Sequence, residues 1–331
     1  YAAIVITADA EDPTGLGRVV RDPDGNIQAI VEHRDATPQE RKIREINSGM
    51  YVFNTPLLLS ALGRIGSQNA QNEYYLTDTI SILIGDGHRV GAYKAPFEET
   101  VGINDRVQLA QAARIMNHRI CERHMRAGVT IQDPDSTWID ATVRIGPDSE
   151  VLSGSHLEGE TVIGEDCRIG PDTRLTDVTV GDGVFLERTA AAGCKVGDGS
   201  RVGPYACLRP GTEIGRHCRV GVFVEIDNAK IGDHTQASHL AYVGDANVGS
   251  GVVVGCGSVT ANNDGNIRQH TEIGDNVFVG SNTVLVAPVE IHENAYIAAG
   301  STITETVPAG ALALARERQT VKKNWVRRLP T

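Results

Sequence analysis

Aromatic residues make up only 5% of this 331-residue chain, with two Trp and five Phe, which suits an aromatic-packed sandwich poorly. No apolar run approaches the roughly 20 residues that span a bilayer, and no signal peptide is present, so no membrane association is expected. Basic residues are outnumbered: 31 Lys and Arg against 42 Asp and Glu leave a formal charge of −11. That balance argues against a nucleic-acid partner, whose recognition rests on neutralising phosphates. Small anionic ligands stay open, because they need only a few local cations. The six cysteines (Cys121, Cys167, Cys194, Cys207, Cys218, Cys256) form no CxxC and no metal-like spacing. They read as free thiols buried in a protein of the reducing cytoplasm. The chain also lacks an initiating Met. It opens at Tyr1 inside a strand-like run, and reads as a fragment whose front is missing.

Glycine, by contrast, is abundant at 36 residues, and it accompanies a strict repeat. An aliphatic residue returns every sixth position in Val196, Val202, Leu208, Ile214, Val220 and Ile226, and again in Ile273, Val279, Leu285, Ile291, Ile297 and Ile303. A period of six matches neither a helix nor an ordinary hairpin sheet. It predicts hexapeptide repeats: three short strands per coil, stacked into a left-handed parallel β-helix with the aliphatic residues inside. The left hand is the recognised exception to the right-handed crossover rule. The region from Val129 to about Thr306 would make roughly ten coils and a shaft about 45–50 Å long at the usual strand spacing. The period fails at Thr260–Gln269, which is expected to be an extruded, functional loop.

The front part, 1–105, reads as a partial α/β domain. Strand-like runs Ala3–Thr7, Arg18–Arg21, Ile27–Glu32 and Asn47–Phe53 alternate with helical stretches Pro56–Leu62 and Leu76–Gly85. Asp22-Pro23-Asp24-Gly25 is a hairpin-turn signal. Residues 106–128 read as one linker helix ended by Gly128, and 129–331 as the β-helix domain with a C-terminal tail. That tail carries a basic run around Trp325, for which a solvated terminus is the default.

Two clusters could carry chemistry. In the shaft stand Arg209, Glu225 and the stretch Ser238-His239-Leu240-Ala241-Tyr242-Val243-Gly244-Asp245, of which His239 falls where the hexad register shifts, Ile226 being followed by Ile231 after five residues. His239 could accept a proton from an attacking amine near neutral pH, or be an ordinary surface histidine. Arg209 could clamp a phosphate or simply be solvated. In the front part, Gly15 and Gly17 precede a strand and permit close approach of a ligand, although the loop is neither a phosphate-binding loop nor a dinucleotide fingerprint.

Across nearly its whole length the sequence resembles the bacterial bifunctional UDP-N-acetylglucosamine pyrophosphorylase/glucosamine-1-phosphate N-acetyltransferase family. The phrases DPTGLGR, IVEHRDAT, REINSG, NEYYLTD, VGIND, LRPGTEIG, VEIDNAKIG, SHLAYVGDA, VGSNTVLVAPV and AAGSTIT follow one another in the family's order. The resemblance implies a Rossmann-like nucleotidyltransferase domain that joins UTP to N-acetylglucosamine-1-phosphate with Mg²⁺. It also implies a β-helix that acetylates glucosamine-1-phosphate from acetyl-CoA, as a cytoplasmic homotrimer serving peptidoglycan and cell-envelope synthesis. By matching phrase, Gly17, Glu32, Asn47 and Asn104 would contact the UDP-sugar, and Asn104 would also hold the metal, whose oxygen shell phosphates can largely supply. The metal-binding aspartate and the nucleotide loop would precede Tyr1, so the uridylyltransferase half is expected to be incomplete and silent here. In the β-helix, the resemblance makes His239 the catalytic base. Arg209, Glu225, Asp227, Tyr242, Val253, Asn262 and Asn263 would lie at the substrate site. Cys256, Ser281, Ala299 and Arg316 would line the acetyl-CoA site, with Trp325 packing the tail over it.

Three of these positions depart from the family pattern. Asp227 stands where the family has a phosphate-binding Lys, Asn263 where it has Tyr, and Val253 where it has Asn. A carboxylate about 4 Å from a phosphate costs on the order of 4 kcal/mol even at an effective dielectric near 20. Lys230 should face elsewhere, and so does not replace the missing cation. Two rivals therefore stand beside the family reaction: a divergent acetyltransferase for a non-phosphorylated amino sugar, and a catalytically poor trimeric scaffold. Cys256, in Gly-Cys-Gly, could be packing or a covalent acyl carrier.

Overall fold

A computed structural model describes residues 1–100, 102–103, 105–323 and 325, which divide into two compact units, Tyr1–Ile115 and Met116–Thr331. The first unit is built on one five-stranded sheet. Its strands are β1 (Ala3–Asp9), β2 (Arg18–Arg21), β3 (Ile27–Val31), β4 (Glu45–Phe53) and β5 (Val90–Lys94), in the order β3-β2-β4-β1-β5. β1 and β5 run parallel and the other pairs antiparallel. The turn between β2 and β3 closes as expected, with Gly25 N–H donating to Asp22 C=O at 3.0 Å. Helices α1 (Thr55–Leu62) and α2 (Asp78–Gly85) supply Ala61, Ile80 and Leu83 to a core shared with Ala3, Val5, Val19, Ile27 and Ile30. The Asn54 side chain caps α1 by accepting from Leu57 N–H, and Pro56 occupies its first turn. α2 begins at Asp78 rather than Leu76; the two residues before it close turns instead. β5 carries no alternating apolar pattern, and it joins the sheet through parallel pairing with β1.

Helix α3 (Arg106–Arg126) ends at Gly128, whose φ of +97° is left-handed. Its last turns belong to the second unit. There Asn117 donates to Thr137 C=O at 2.7 Å and accepts from Ile139 N–H at 3.2 Å, while Cys121 and His124 are buried. The helix thus closes the first coil of a parallel solenoid.

The solenoid has three faces of stacked parallel strands. Face 1 holds eleven strands, from Thr130–Ile131 to Leu312–Ala313; face 2 holds ten, from Trp138–Ile139 to Thr302–Ile303; face 3 holds nine, from Arg144–Ile145 to Val289–Ile291. All twelve hexad residues of the two runs are buried in one continuous core. Many of the glycines that follow them are there for space rather than for dihedral freedom. At Gly197, a Cβ would lie 2.7 Å from the Gly215 carbonyl of the next coil. The left-handed corners are filled by other glycines, such as Gly154 and Gly199, and by Asp, Asn and His, and on one edge by Arg188, Tyr205, Phe223 and Leu240.

Equivalent residues on neighbouring coils, such as Tyr242 and Val259, are 17 apart, but Val259 and Val284 are 25 apart. The extra residues leave the wall only after Ala261, because Thr260 and Ala261 remain paired with Leu285 and Val286. The extruded loop is therefore shorter at its front than the period alone suggests. All six cysteines are free, but Cys207 and Cys256 are only half-buried, since both sit at outward or corner positions of the wall. Among the described residues, no helix is long and apolar enough to cross a membrane.

Candidate active site

On face 2, successive strands present their outward side chains in two parallel ladders. One runs Cys207, Glu225, Tyr242; the other runs Arg209, Asp227, Gly244. The alternation that buries Leu208, Ile226 and Val243 forces these side chains outward. Arg209 and Glu225 pair directly. Asp227 is paired with Arg268, which reaches back from the extruded loop and also binds Asp245 through Nε at 2.6 Å.

Asp245 is the hub of this cluster. It is 7% exposed, its backbone is left-handed (φ +45°), and its carboxylate accepts from Asn228 and Asn262, each at 2.7 Å. Burial works to raise its pKa, but the hydrogen bonds from Asn228 and Asn262 and the Arg268 charge outweigh it, and its carboxyl lies below the ordinary value. Asn262 also donates to the Tyr242 hydroxyl at 3.4 Å, and that hydroxyl donates to Asp227 at 3.5 Å. Asn263 pairs with Arg268 across the base of the loop and accepts from Gly265 N–H at 2.8 Å. Lys230 lies on face 3, away from the cluster, as its spacing implies.

His239 ends a face-1 strand, at the edge where the chain turns toward face 2. The ladder pairs Val222 with His239 and Ala237 with Val254. Continuing that register sets His239, Cys256, Ser281 and Ala299 in one column on consecutive coils, and the bonds Gly257 N to Leu240 O, Asn282 N to Cys256 O and Gly300 N to Ser281 O follow it. Four residues chosen from the sequence for two different roles therefore share one edge, about 4.8 Å per step. A Cβ on Gly300 would lie 3.8 Å from the Arg316 side chain, which sets Arg316 beside the top of the column. The His239 imidazole is exposed, and no described residue hydrogen-bonds to it. Among the described residues, the Cys256 amide N–H likewise has no partner. Val253 stands on face 1, outward and partly exposed. Trp325 is exposed, with the Lys322 ammonium 5.1 Å from its ring centroid.

In the first unit, Gly17, Glu32 and Asn47 come together. A Cβ on Gly17 would meet the Glu32 carboxylate at 3.3 Å, and Gly17 C=O accepts from Asn47 N–H at 2.9 Å. Asn47 donates to the Tyr51 hydroxyl at 2.7 Å. Burial raises both acids here: Glu32 lies above its ordinary value, and Tyr51 is pushed up to about 12. Asn104 lies outside the described residues. Sequence reading alone passes over Tyr51 and Arg268, and includes Asp245 in a candidate stretch without giving it a role. Tyr51 and Asp245 stand within or beside the quoted phrases, but Arg268 carries no local signal.

Comparison with known proteins decides the family. The bifunctional protein GlmU of Geobacillus sp. (strain WCH70) is 50% identical over 328 residues, covering 99% of this chain and 72% of that protein. The chain belongs to the GlmU family. The GlmU of Acetivibrio thermocellus is 52% identical over 326 residues, 98% of this chain and 71% of that one. A nucleotidyl transferase family model matches residues 1–140, and a bacterial transferase hexapeptide model matches 193–228 and 270–305. Among solved structures, the UDP-N-acetylglucosamine acyltransferase of Francisella novicida aligns over 56% of this chain and 67% of that one, at 14% identity and a TM-score of 0.39. Members of the GlmU family are bifunctional acetyltransferase/uridylyltransferases of UDP-N-acetylglucosamine synthesis, and this chain is such an enzyme.

Proposed function

We propose that the solenoid transfers acetyl from acetyl-CoA to the amine of glucosamine-1-phosphate at the edge between faces 1 and 2. The observation that carries this reading is the column itself: His239 sits one coil from Cys256, with Tyr242 three residues beyond it on face 2. His239 takes a proton from the substrate amine, the nitrogen adds to the thioester carbonyl, and the coenzyme A thiolate leaves as the amide forms. The unpartnered Cys256 N–H is a donor available to the carbonyl oxygen as it gains charge. Cys256 then serves as wall rather than as an acyl carrier, because the reaction needs no second nucleophile. Ser281, Ala299 and Arg316 line the acetyl-CoA side, where the small side chains of Ser281 and Ala299 leave the edge open. Trp325 lies on the tail that follows Arg316 and covers the same side. Arg209, Glu225, Asp227, Tyr242, Asn262 and Asn263 make the acceptor side, with Val253 beside it on face 1.

In the first unit, Gly17, Glu32 and Asn47 hold the uridine diphosphate sugar. Asn104, outside the described residues, and substrate phosphates would hold Mg²⁺, which would supply charge neutralisation at those phosphates once the rest of that site is present. The enzyme works as a cytoplasmic homotrimer. Replacing His239 with Ala tests the acetyl-transfer reading: turnover measured by thiol release should fall about 10²–10⁴-fold, while calorimetric acetyl-CoA binding persists. Unchanged turnover would remove His239 from the chemistry, and absence of acetyl-CoA binding in the unaltered protein would favour a scaffold role.

A further inference from the structure

The acceptor face carries an unexpected charge balance. Two cations, Arg209 and Arg268, face three carboxylates, Glu225, Asp227 and Asp245, and every one of these charges is already paired. Arg268 is half-exposed, whereas the side chains of Asp227 and Asp245 are 18% and 10% exposed. The arginine is thus the more exposed partner, seated between two largely buried anions. Asp245 has three other ties that keep it in place: Asn228, Asn262 and the backbone bond from its own N–H to Asp227 C=O at 2.9 Å. Asp227 has fewer, since apart from Arg268 its carboxylate accepts, among the described residues, only the long bond from Tyr242.

We propose that Asp227 sets the charge selectivity of the acceptor site by holding Arg268, so that a phosphorylated amine must draw this arginine away from a carboxylate before using it. The inference rests on face 2 being the acceptor side. Asp227 acts here as a positioning residue: it needs no contact with the reacting amine, and its effect depends on whether the acceptor carries an anion. A neutral acceptor has no use for Arg268 and gains nothing when the pair is broken. A phosphate monoester gains a free guanidinium fork, which matches its oxygens.

The experiment compares acetylation of glucosamine-1-phosphate and glucosamine by the unaltered protein, by Asp227→Asn, by Arg268→Gln and by the double variant. Asp227→Asn should raise kcat/KM for the phosphorylated amine about tenfold, equivalent to about 1.4 kcal/mol, mostly through KM. Whatever it does to turnover of glucosamine, the ratio of kcat/KM for the phosphorylated amine to that for glucosamine should rise by a similar factor. With Arg268→Gln already in place, the gain from Asp227→Asn should largely vanish. A selectivity ratio unmoved by Asp227→Asn, or a gain of equal size with and without Arg268, would overturn the proposal. Circular dichroism separates either result from unfolding. If the unaltered protein acetylates neither amine while binding acetyl-CoA, the acceptor-side reading itself falls, and the proposal with it.

Discussion

Gly244 is the most sensitive position on the acceptor face, and Gly244→Ala is the sharpest test of its geometry. Its φ lies outside the left-handed region, so alanine brings no backbone strain and the cost is space alone. A Cβ there would press on the Tyr242 hydroxyl, lie 2.6 Å from the ring carbon bearing it, and lie 2.7 Å from the Asn262 amide nitrogen. Ordinary contact begins near 3.4 Å, so the Asn262 amide must retreat by roughly 0.7 Å and the Tyr242 hydroxyl by roughly 1 Å. Neither can do so cheaply. Tyr242 stands on a strand paired on both sides, and Asn262 is tied to Asp245. A displacement near 1 Å at a positioning group costs on the order of 10²-fold in rate. Acetyl transfer to glucosamine-1-phosphate, followed by thiol release, should therefore fall about a hundredfold. Stability should drop by only about 1–3 kcal/mol, as small overpacking usually costs. A folded Gly244→Ala protein with kcat/KM within threefold of the original would show that the Tyr242–Asn262 pair does not shape the acceptor site.

Two further substitutions address stability. Glu32 is half-buried with its folded value raised, first by burial and then by Asp35 and Asp78, so its ionisation opposes folding. Glu32→Gln should raise the thermal midpoint at pH 7, and the difference should shrink as pH falls and vanish near pH 3, well below the unfolded value, where the glutamate is neutral in both states; an equal shift at both pH values would refute the assignment. Thr260→Val should lower the denaturant midpoint by the equivalent of about 1–3 kcal/mol with the slope unchanged, because the Thr260 hydroxyl accepts from Gly244 N–H at 2.7 Å and donates to Gly244 C=O at 3.0 Å; a more stable variant would show that this buried hydroxyl contributes nothing.

Much of the solenoid was legible in the sequence because its core makes one demand, an aliphatic plug every sixth residue, and two unbroken runs of six such positions leave no competing period. The linker helix was equally legible, since helical spacing ran unbroken to a glycine that the structure places in the left-handed region. Strand β5 escaped because Val-Gly-Ala-Tyr-Lys has no alternation to read, and its place depends on pairing with β1, far away in the chain. The charge at Asp227 was read as an uncompensated anion for a related reason. Its partner Arg268 lies 41 residues further on, inside a loop with no repeat to set its direction.

That loop explains how a repetitive wall comes to hold a specific site. In a regular coil the outward side chains answer only to solvent, and their neighbours are the same rungs above and below. The 25-residue coil breaks this symmetry at one level, and returns Asn262 and Arg268 over the rungs that carry Tyr242, Asp227 and Asp245. At the same level the inner column exchanges an aliphatic residue for Thr260, between Val243 and Leu285. A buried hydroxyl is tolerable there only because Gly244 offers it both a donor and an acceptor. The exchange fixes the one glycine on which Tyr242 and Asn262 close. Core, loop and outer face are therefore altered together in one pair of coils, beside the edge where His239 and Cys256 meet.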